Sequence, residues 1–395
     1  MTEAPAAAPV PFTIAVPDSV LDRIRERVRT YDWDALPDAG GWTAGTGLAF
    51  MREISAYWTD RFDWRAVEAD LNRVPQFRGP AGGLDLHFVH LRGSGGRPLP
   101  LVLLHGWPGS FFEFLHLVEP LAHPERFGGD AADGFDVVVP SLPGYAFSDR
   151  PARPIGPRTT AGHIDALMKG LGYGGGYLVQ GGDWGAAVAA WLGLEHGTAR
   201  GGGCRAIHIN MVGTRSAAMV AETAEERAWA ERRKQLFGRE GAYFELQSTR
   251  PQSLAYAMMD SPVGAAAWIL EKFAAWSDLP RSPDGTPDLS ARYGFDQLLT
   301  NVMLYLVTNS FATASWMYRG LFDEAASPLL PARIEVPVGV AAFPDPTFPP
   351  PPRSLAEKAY NVTRWTAMPR GGHFAALEES ELLLDDVRAF ARTLR

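Results

Sequence analysis

The chain of 395 residues reads as an α/β domain: a mostly parallel sheet, helices on both faces, and a helical segment inserted between two strands. Three observations predict this. Short continuous apolar runs recur at 100–105 (PLVLLH), 135–140 (FDVVVP), 177–179 (YLV), 205–210 (RAIHIN) and 336–343 (VPVGVAAF). Such runs suit strands covered on both faces. Helical stretches such as 161–171 and 186–196 lie between several of them, as parallel strands require. From 213 to about 330 the rhythm breaks into aromatic-rich, helix-like sequence with no clear strand.

The elements follow in order. Residues 1–12 are Pro/Ala-rich and read as loose. Residues 18–31 read as a helix, with Asp18 as the candidate N-cap and Val20, Leu21, Ile24 and Val28 on one stripe. Between 33 and 80 the aromatics Trp42, Phe50, Tyr57, Trp58, Phe62 and Trp64 read as packing against a larger body. Residues 84–91 (LDLHFVHL) alternate like a strand, and 281–287 and 344–353 are Pro-rich loops. The resulting division is an N-terminal region 1–95 wrapping the core, a first core part 96–212, a helical lid 213–330 and a second core part 331–395. Ligands bind beyond the carboxyl ends of the strands in such sheets, so an insertion there would cover the crevice and exclude water.

Composition narrows the function. Hydrophobic residues make up 46% of the chain, enough for a large core. A net charge of -8 argues against a nucleic-acid footprint. The single cysteine, Cys204, excludes an internal disulfide framework and a cysteine-rich metal site. No signal peptide and no spanning apolar run is visible, so a soluble, cytoplasmic protein without membrane contact is expected.

The segment LVQGGDWGAA (178–187) ends an apolar run in a Gly-rich corner with Asp183 at its tip. Read from Gly181 it has the form G-x-D-x-G, related to the G-x-S-x-G elbow that pushes a nucleophile into a pocket. A carboxylate there attacks without a base and suits displacement at an sp³ carbon. A strand-end Asp capping the next helix has the same look, and the motif alone leaves both readings open. A late histidine favours the elbow: His373 follows two glycines in MPRGGHFAALEE (368–379). His87, His90, His116, His123 and His196 read as surface or packing residues, and His105 as a structural hydrogen-bonding residue.

With these pieces the chain resembles an α/β-hydrolase-fold epoxide hydrolase of the microsomal type, without its membrane anchor. The matching segments are HGWPGS (105–110), PSLPGYAFS (140–148), GGDWG (181–185), DSPVGAAAWILEKFAAW (260–276), LLTNVMLY (298–305) and RGGHFAALEE (370–379). The resemblance implies Asp183 as nucleophile and His373 as the base that activates water. It implies an oxyanion hole from the backbone N–H groups of Trp107 and Trp184, and epoxide-oxygen donors Tyr243 and Tyr318. Tyr256, Tyr293 and Tyr305 are left as packing residues. One position departs from the family pattern. Where the triad acid is expected, three residues beyond Phe343, stands Pro346; the nearest carboxylate is Asp345. Asp345 is then either a displaced triad acid or a loop residue.

The expected activity is opening of an apolar or aromatic epoxide to a vicinal diol through an aspartyl ester. It needs water but no cofactor and no metal, and would serve detoxification or natural-product biosynthesis. A haloalkane dehalogenase-like hydrolase is the alternative, since it also uses an Asp followed by Trp; the lid tyrosines favour the epoxide. A catalytically weakened biosynthetic or binding member of the fold is a further alternative, and a homodimer is left open.

Overall fold

The computed structural model describes residues 8–213, 216–324 and 328–395. The short β1 (Val10–Pro11) precedes helices α1 (Asp18–Arg29), α2 (Leu48–Asp60) and α3 (Trp64–Leu71). Then come β2 (Gln76–Ala81), β3 (Leu84–Leu91), β4 (Leu99–Leu104), α4 (Leu115–Ala122), β5 (Phe135–Pro140) and α5 (Pro157–Gly170). After β6 (Tyr177–Gly181), α6 (Asp183–Glu195) and β7 (Cys204–Ile209) the helical segment begins. It comprises α7 (Ala224–Glu240), α8 (Ala242–Thr249), α9 (Pro251–Asp260), α10 (Pro262–Trp276), α11 (Phe295–Val307), α12 (Phe311–Ala314) and α13 (Trp316–Asp323). The chain closes with β8 (Ile334–Ala342), α14 (Arg353–Glu357), β9 (Tyr360–Ala367), α15 (Ala375–Glu378) and α16 (Ser380–Arg392).

Among the described residues the strands form one sheet in the order β1-β2-β3-β5-β4-β6-β7-β8-β9. The run from β5 through β4, β6, β7 and β8 to β9 is parallel, whereas β1, β2 and β3 join antiparallel. β5 is buried throughout, and α6 is buried along most of its length. That fits its sequence, which is apolar around the whole helix rather than on one stripe.

Two local expectations need correction, and one strand goes beyond them. Residues 1–12 are not all loose, because Val10 and Pro11 pair with Arg78 and Phe77 of β2. Asp18 is the first helical residue rather than the cap. Pro17 holds the cap position at φ -59° and ψ 139°, and the Asp18 carboxylate pairs with Arg65 instead. The strand β2 was not anticipated, since Gly79 and Pro80 weaken its pattern. Its partner β3 holds it through a two-residue turn at Gly82 and Gly83, both with positive φ (64° and 95°). Such primed turns match the twist of a hairpin and favour glycine. The N-terminal region therefore contributes strands to the sheet as well as covering it.

Candidate active site

Four segments beyond the carboxyl ends of parallel strands meet at one point: residues 105–110 after β4, Gly182–Asp183 after β6, Pro344–Asp345 after β8 and 368–373 after β9. Asp183 sits at φ 46°, in the left-handed region that non-glycine residues rarely occupy. The corner is possible because its neighbours lack side chains. A Cβ on Gly185 would lie 1.9 Å from the Leu104 carbonyl oxygen, and one on Gly106 would lie 2.1 Å from Asp183 Oδ1. These are the close approaches of an elbow.

The Trp107 N–H donates to Asp183 Oδ1 at 2.8 Å. His373 Nε2 stands 3.3 Å from Asp183 Oδ2. On its other side His373 Nδ1 donates to Asp345 Oδ2 at 2.8 Å. Asp345 thus faces the imidazole although Pro346 occupies the expected position. The reason is a tight turn in which the Asp345 N–H donates to the Phe343 carbonyl at 2.8 Å, bringing the chain back early. Its second oxygen, Oδ1, accepts from the Thr347 and Phe348 N–H groups at 2.8 and 2.7 Å. Burial alone would lower the His373 pKa, but the hydrogen bonds and charges of Asp183 and Asp345 outweigh it and push it up to about 10.

The histidine loop is held from two sides. The His373 N–H donates to the Trp276 carbonyl at the end of α10. The Glu378 carboxyl accepts from the N–H groups of Gly372, Phe374 and Asp278. The loop after β4 is clamped likewise by α11: Asn301 Nδ2 donates to the Pro108 carbonyl and the Tyr305 hydroxyl to the Gly109 carbonyl, both at 2.7 Å. Glu378, Asn301 and Tyr305 escaped the sequence reading as site residues. Tyr305, read as packing, also supplies this hydrogen bond, and Tyr256 is 73% exposed rather than packed.

Tyr243 on α8 and Tyr318 on α13 are both buried, with ring centroids 5.8 Å apart. The Trp107 ring stacks on Tyr243 and the Trp184 ring meets Tyr318 edge-on. Both tyrosines line the same cavity as Asp183, a space of about 290 Å³ walled by Trp184, Met211, Phe237, Phe244 and Leu321. Burial, together with the negative charge of Asp183, holds both phenols well above the usual tyrosine range, so both are neutral O–H donors. Trp184 lines this cavity; among the described residues the Trp107 backbone N–H donates to Asp183 and the Trp184 backbone N–H does not. Of the other lid aromatics, Trp229 instead donates its indole N–H to the Pro349 carbonyl at 2.9 Å.

His105 is structural. The Leu142 N–H donates to its Nε2 at 3.1 Å, and burial lowers its pKa to about 4. His87 is a packing residue, buried between Ser141 and Gln76. Among the described residues no group of three or more His, Cys, Asp or Glu is placed to hold a metal ion, and no helix is long and apolar enough to cross a membrane.

Comparison with known proteins shows the family and the fold. Residues 9–114 match the family described as epoxide hydrolase N terminus, and residues 100–237 match the alpha/beta hydrolase fold. A protein of Stigmatella aurantiaca that carries the epoxide hydrolase name is 39% identical over 391 residues, 98% of this chain and 85% of its own. Epoxide hydrolase 1 of Sus scrofa is 31% identical, covering 96% of this chain and 88% of its own. The solved Aspergillus niger epoxide hydrolase has a TM-score of 0.83 and 32% identity, covering 99% of this chain and 97% of that one. The chain therefore has the α/β-hydrolase fold and belongs to the epoxide hydrolases, enzymes of the hydrolase class.

Proposed function

We propose that this protein opens apolar or aromatic epoxides to vicinal diols in two covalent steps. The observation that carries this is the placement of Asp183, with Trp107 N–H and His373 on one side and the cavity bearing Tyr243 and Tyr318 on the other. An Asp183 oxygen attacks an epoxide carbon. The carbon–oxygen bond of the ring breaks, and the tyrosine hydroxyls hydrogen-bond the oxygen as it becomes an alkoxide and takes up a proton. The product of this step is an ester of Asp183.

Esterification removes one of the two negative charges that hold the His373 pKa at about 10. The imidazolium then gives up its proton, which through solvent makes good the one the tyrosines pass to the alkoxide. The neutral imidazole can take a proton from water while Asp345 keeps the ring oriented and balances its charge. Water attacks the ester carbonyl carbon, and the Trp107 N–H stabilises the oxyanion. Apolar walls at Phe237, Phe244 and Leu321 support an apolar substrate.

The test is a single turnover in ¹⁸O water with enzyme in excess over styrene oxide. The expected diol carries ¹⁶O from the Asp183 carboxylate, and the heavy oxygen appears in the protein. Heavy oxygen in the first-turnover diol would make water the direct nucleophile and end the two-step reading.

A further inference from the structure

Asp183 borders a second space besides the substrate cavity. It is a chamber of about 10 Å³ lined by Gly106, Trp107, Glu113, Asn210 and His373 among others. That is roughly the space the centre of one water molecule needs. Glu113 has no part in the steps above. It lies on the short 3-10 turn Phe111–Phe114 that follows HGWPGS, and it is 8% exposed. Its Oε1 accepts the Ser110 N–H at 3.1 Å. The same oxygen stands so near Gly109 that a Cβ there would lie 1.5 Å from it. Among the described residues Ser110 is the protein donor to this carboxyl, so the second oxygen keeps its accepting capacity.

A buried carboxyl at a catalytic centre is costly unless its capacity is used. We propose that Glu113 positions the hydrolytic water, accepting one of its O–H bonds in the chamber shared with Asp183 and His373 while the other O–H faces His373 Nε2. This rests on the covalent reading above. A carboxyl has an accepting oxygen whether or not it is protonated. Burial pushes the Glu113 pKa up to about 8; His373 opposes the shift and the charge of Asp183 adds to it. His105, Asp183 and His373 are the other titratable groups on the chamber wall.

The step balances without a further reagent. Water gives one proton to His373 Nε2 as its oxygen bonds to the carbonyl carbon of the Asp183 ester. Collapse breaks the carbon–oxygen bond to the diol, which leaves with the proton from His373. The new Asp183 carboxyl then returns its proton to His373, and Glu113 ends each cycle as it began.

Glu113→Gln tests this in the full chain. The amide keeps an oxygen for the Ser110 N–H and puts an N–H donor where the water needs an acceptor. Rapid mixing with styrene oxide or a terminal aliphatic epoxide, followed by mass measurement of the quenched protein, separates ester formation from ester hydrolysis. Misplacing a reactant by about 1 Å costs about 10²-fold. The expected result is ester formation close to the native rate, hydrolysis about 10²-fold slower, and kcat and KM falling together. Gly109→Ala, which displaces the Glu113 carboxyl without removing it, should give the same selective defect and decides the matter if Glu113→Gln does not fold. Native-rate hydrolysis in the variant, or equal slowing of both steps, overturns the role of Glu113 alone. A native enzyme that makes diol without any ester overturns the covalent reading and this proposal with it.

Discussion

Two spaces meet at Asp183, and they differ in almost every respect. One is about 290 Å³, mainly apolar and walled largely by the lid segment; the other is about 10 Å³, of mixed polar and apolar lining and built mainly from loops of the sheet. The first takes its shape from rings such as Phe244 and Tyr318, which meet at 5.3 Å. The second takes its shape from backbone hydrogen bonds and from glycines that tolerate close approach. Under the two-step mechanism proposed above, the two steps are served from opposite sides of one carboxylate. A change on the lid side should act on ring opening. A change on the sheet side should act on ester hydrolysis.

The largest expected effect is on the sheet side. Asp345→Asn leaves Asp183 free to attack but deprives the imidazole of its orienting anion, so hydrolysis should slow by roughly 10³–10⁴-fold while ester accumulates in a burst. Burst amplitude in quenched flow measures this. Native steady-state turnover would make Asp345 a loop residue and remove one wall of the comparison.

Next comes the lid side. Tyr318→Phe removes one donor to the developing alkoxide and should slow ring opening by about 10²-fold. The decay of preformed ester should stay unchanged, which separates the two spaces in a single variant. Slowed ester decay in Tyr318→Phe would show that the lid also governs the water step.

The smallest effect concerns stability. Glu113 ionises near 8 in the fold against 4.5 for an unperturbed carboxyl, so the unfolded chain loses this proton first. As pH rises from about 4.5 to about 8 the unfolded state is progressively favoured, and this group lowers stability across that window. His373, raised from 6.5 to about 10, contributes stability that is complete below 6.5 and lost as pH rises through about 10. Between about pH 5 and 6.5 the Glu113 contribution is therefore separable from that of His373. The thermal midpoint of Glu113→Gln should fall less than that of the native protein over this interval. Parallel slopes would assign the Glu113 carboxyl an ordinary pKa and a solvated surrounding.

The strands were readable because burial on both faces leaves an unbroken apolar run, as in FDVVVP of β5, which is buried at every position. β2 was not readable, since Gly79 and Pro80 carry no strand signal and only pairing with β3 holds them. Asp183 and His373 announced themselves through flanking glycines, which mark backbone geometry that few residues share. Glu113 carried a weaker signal: it stands three residues after Ser110, the spacing of a capping box, and that spacing is ordinarily only structural. Glu378 carries no signal in the sequence; only in the fold does its carboxyl collect three backbone N–H groups.

Local chemistry thus determined what each segment tends to be: buried strand, sharp corner, aromatic helix. It also singled out candidate residues for the chemistry, Asp183, His373 and the phenols among them. The tertiary structure decided which of these meet. Tyr243 and Tyr318 come together only because α8 packs against α13. Whether Asp345 reaches His373 depended on a three-residue turn that no periodicity encodes. Distances between side chains far apart in sequence are set by packing of whole elements, and pKa shifts follow from those distances and from burial.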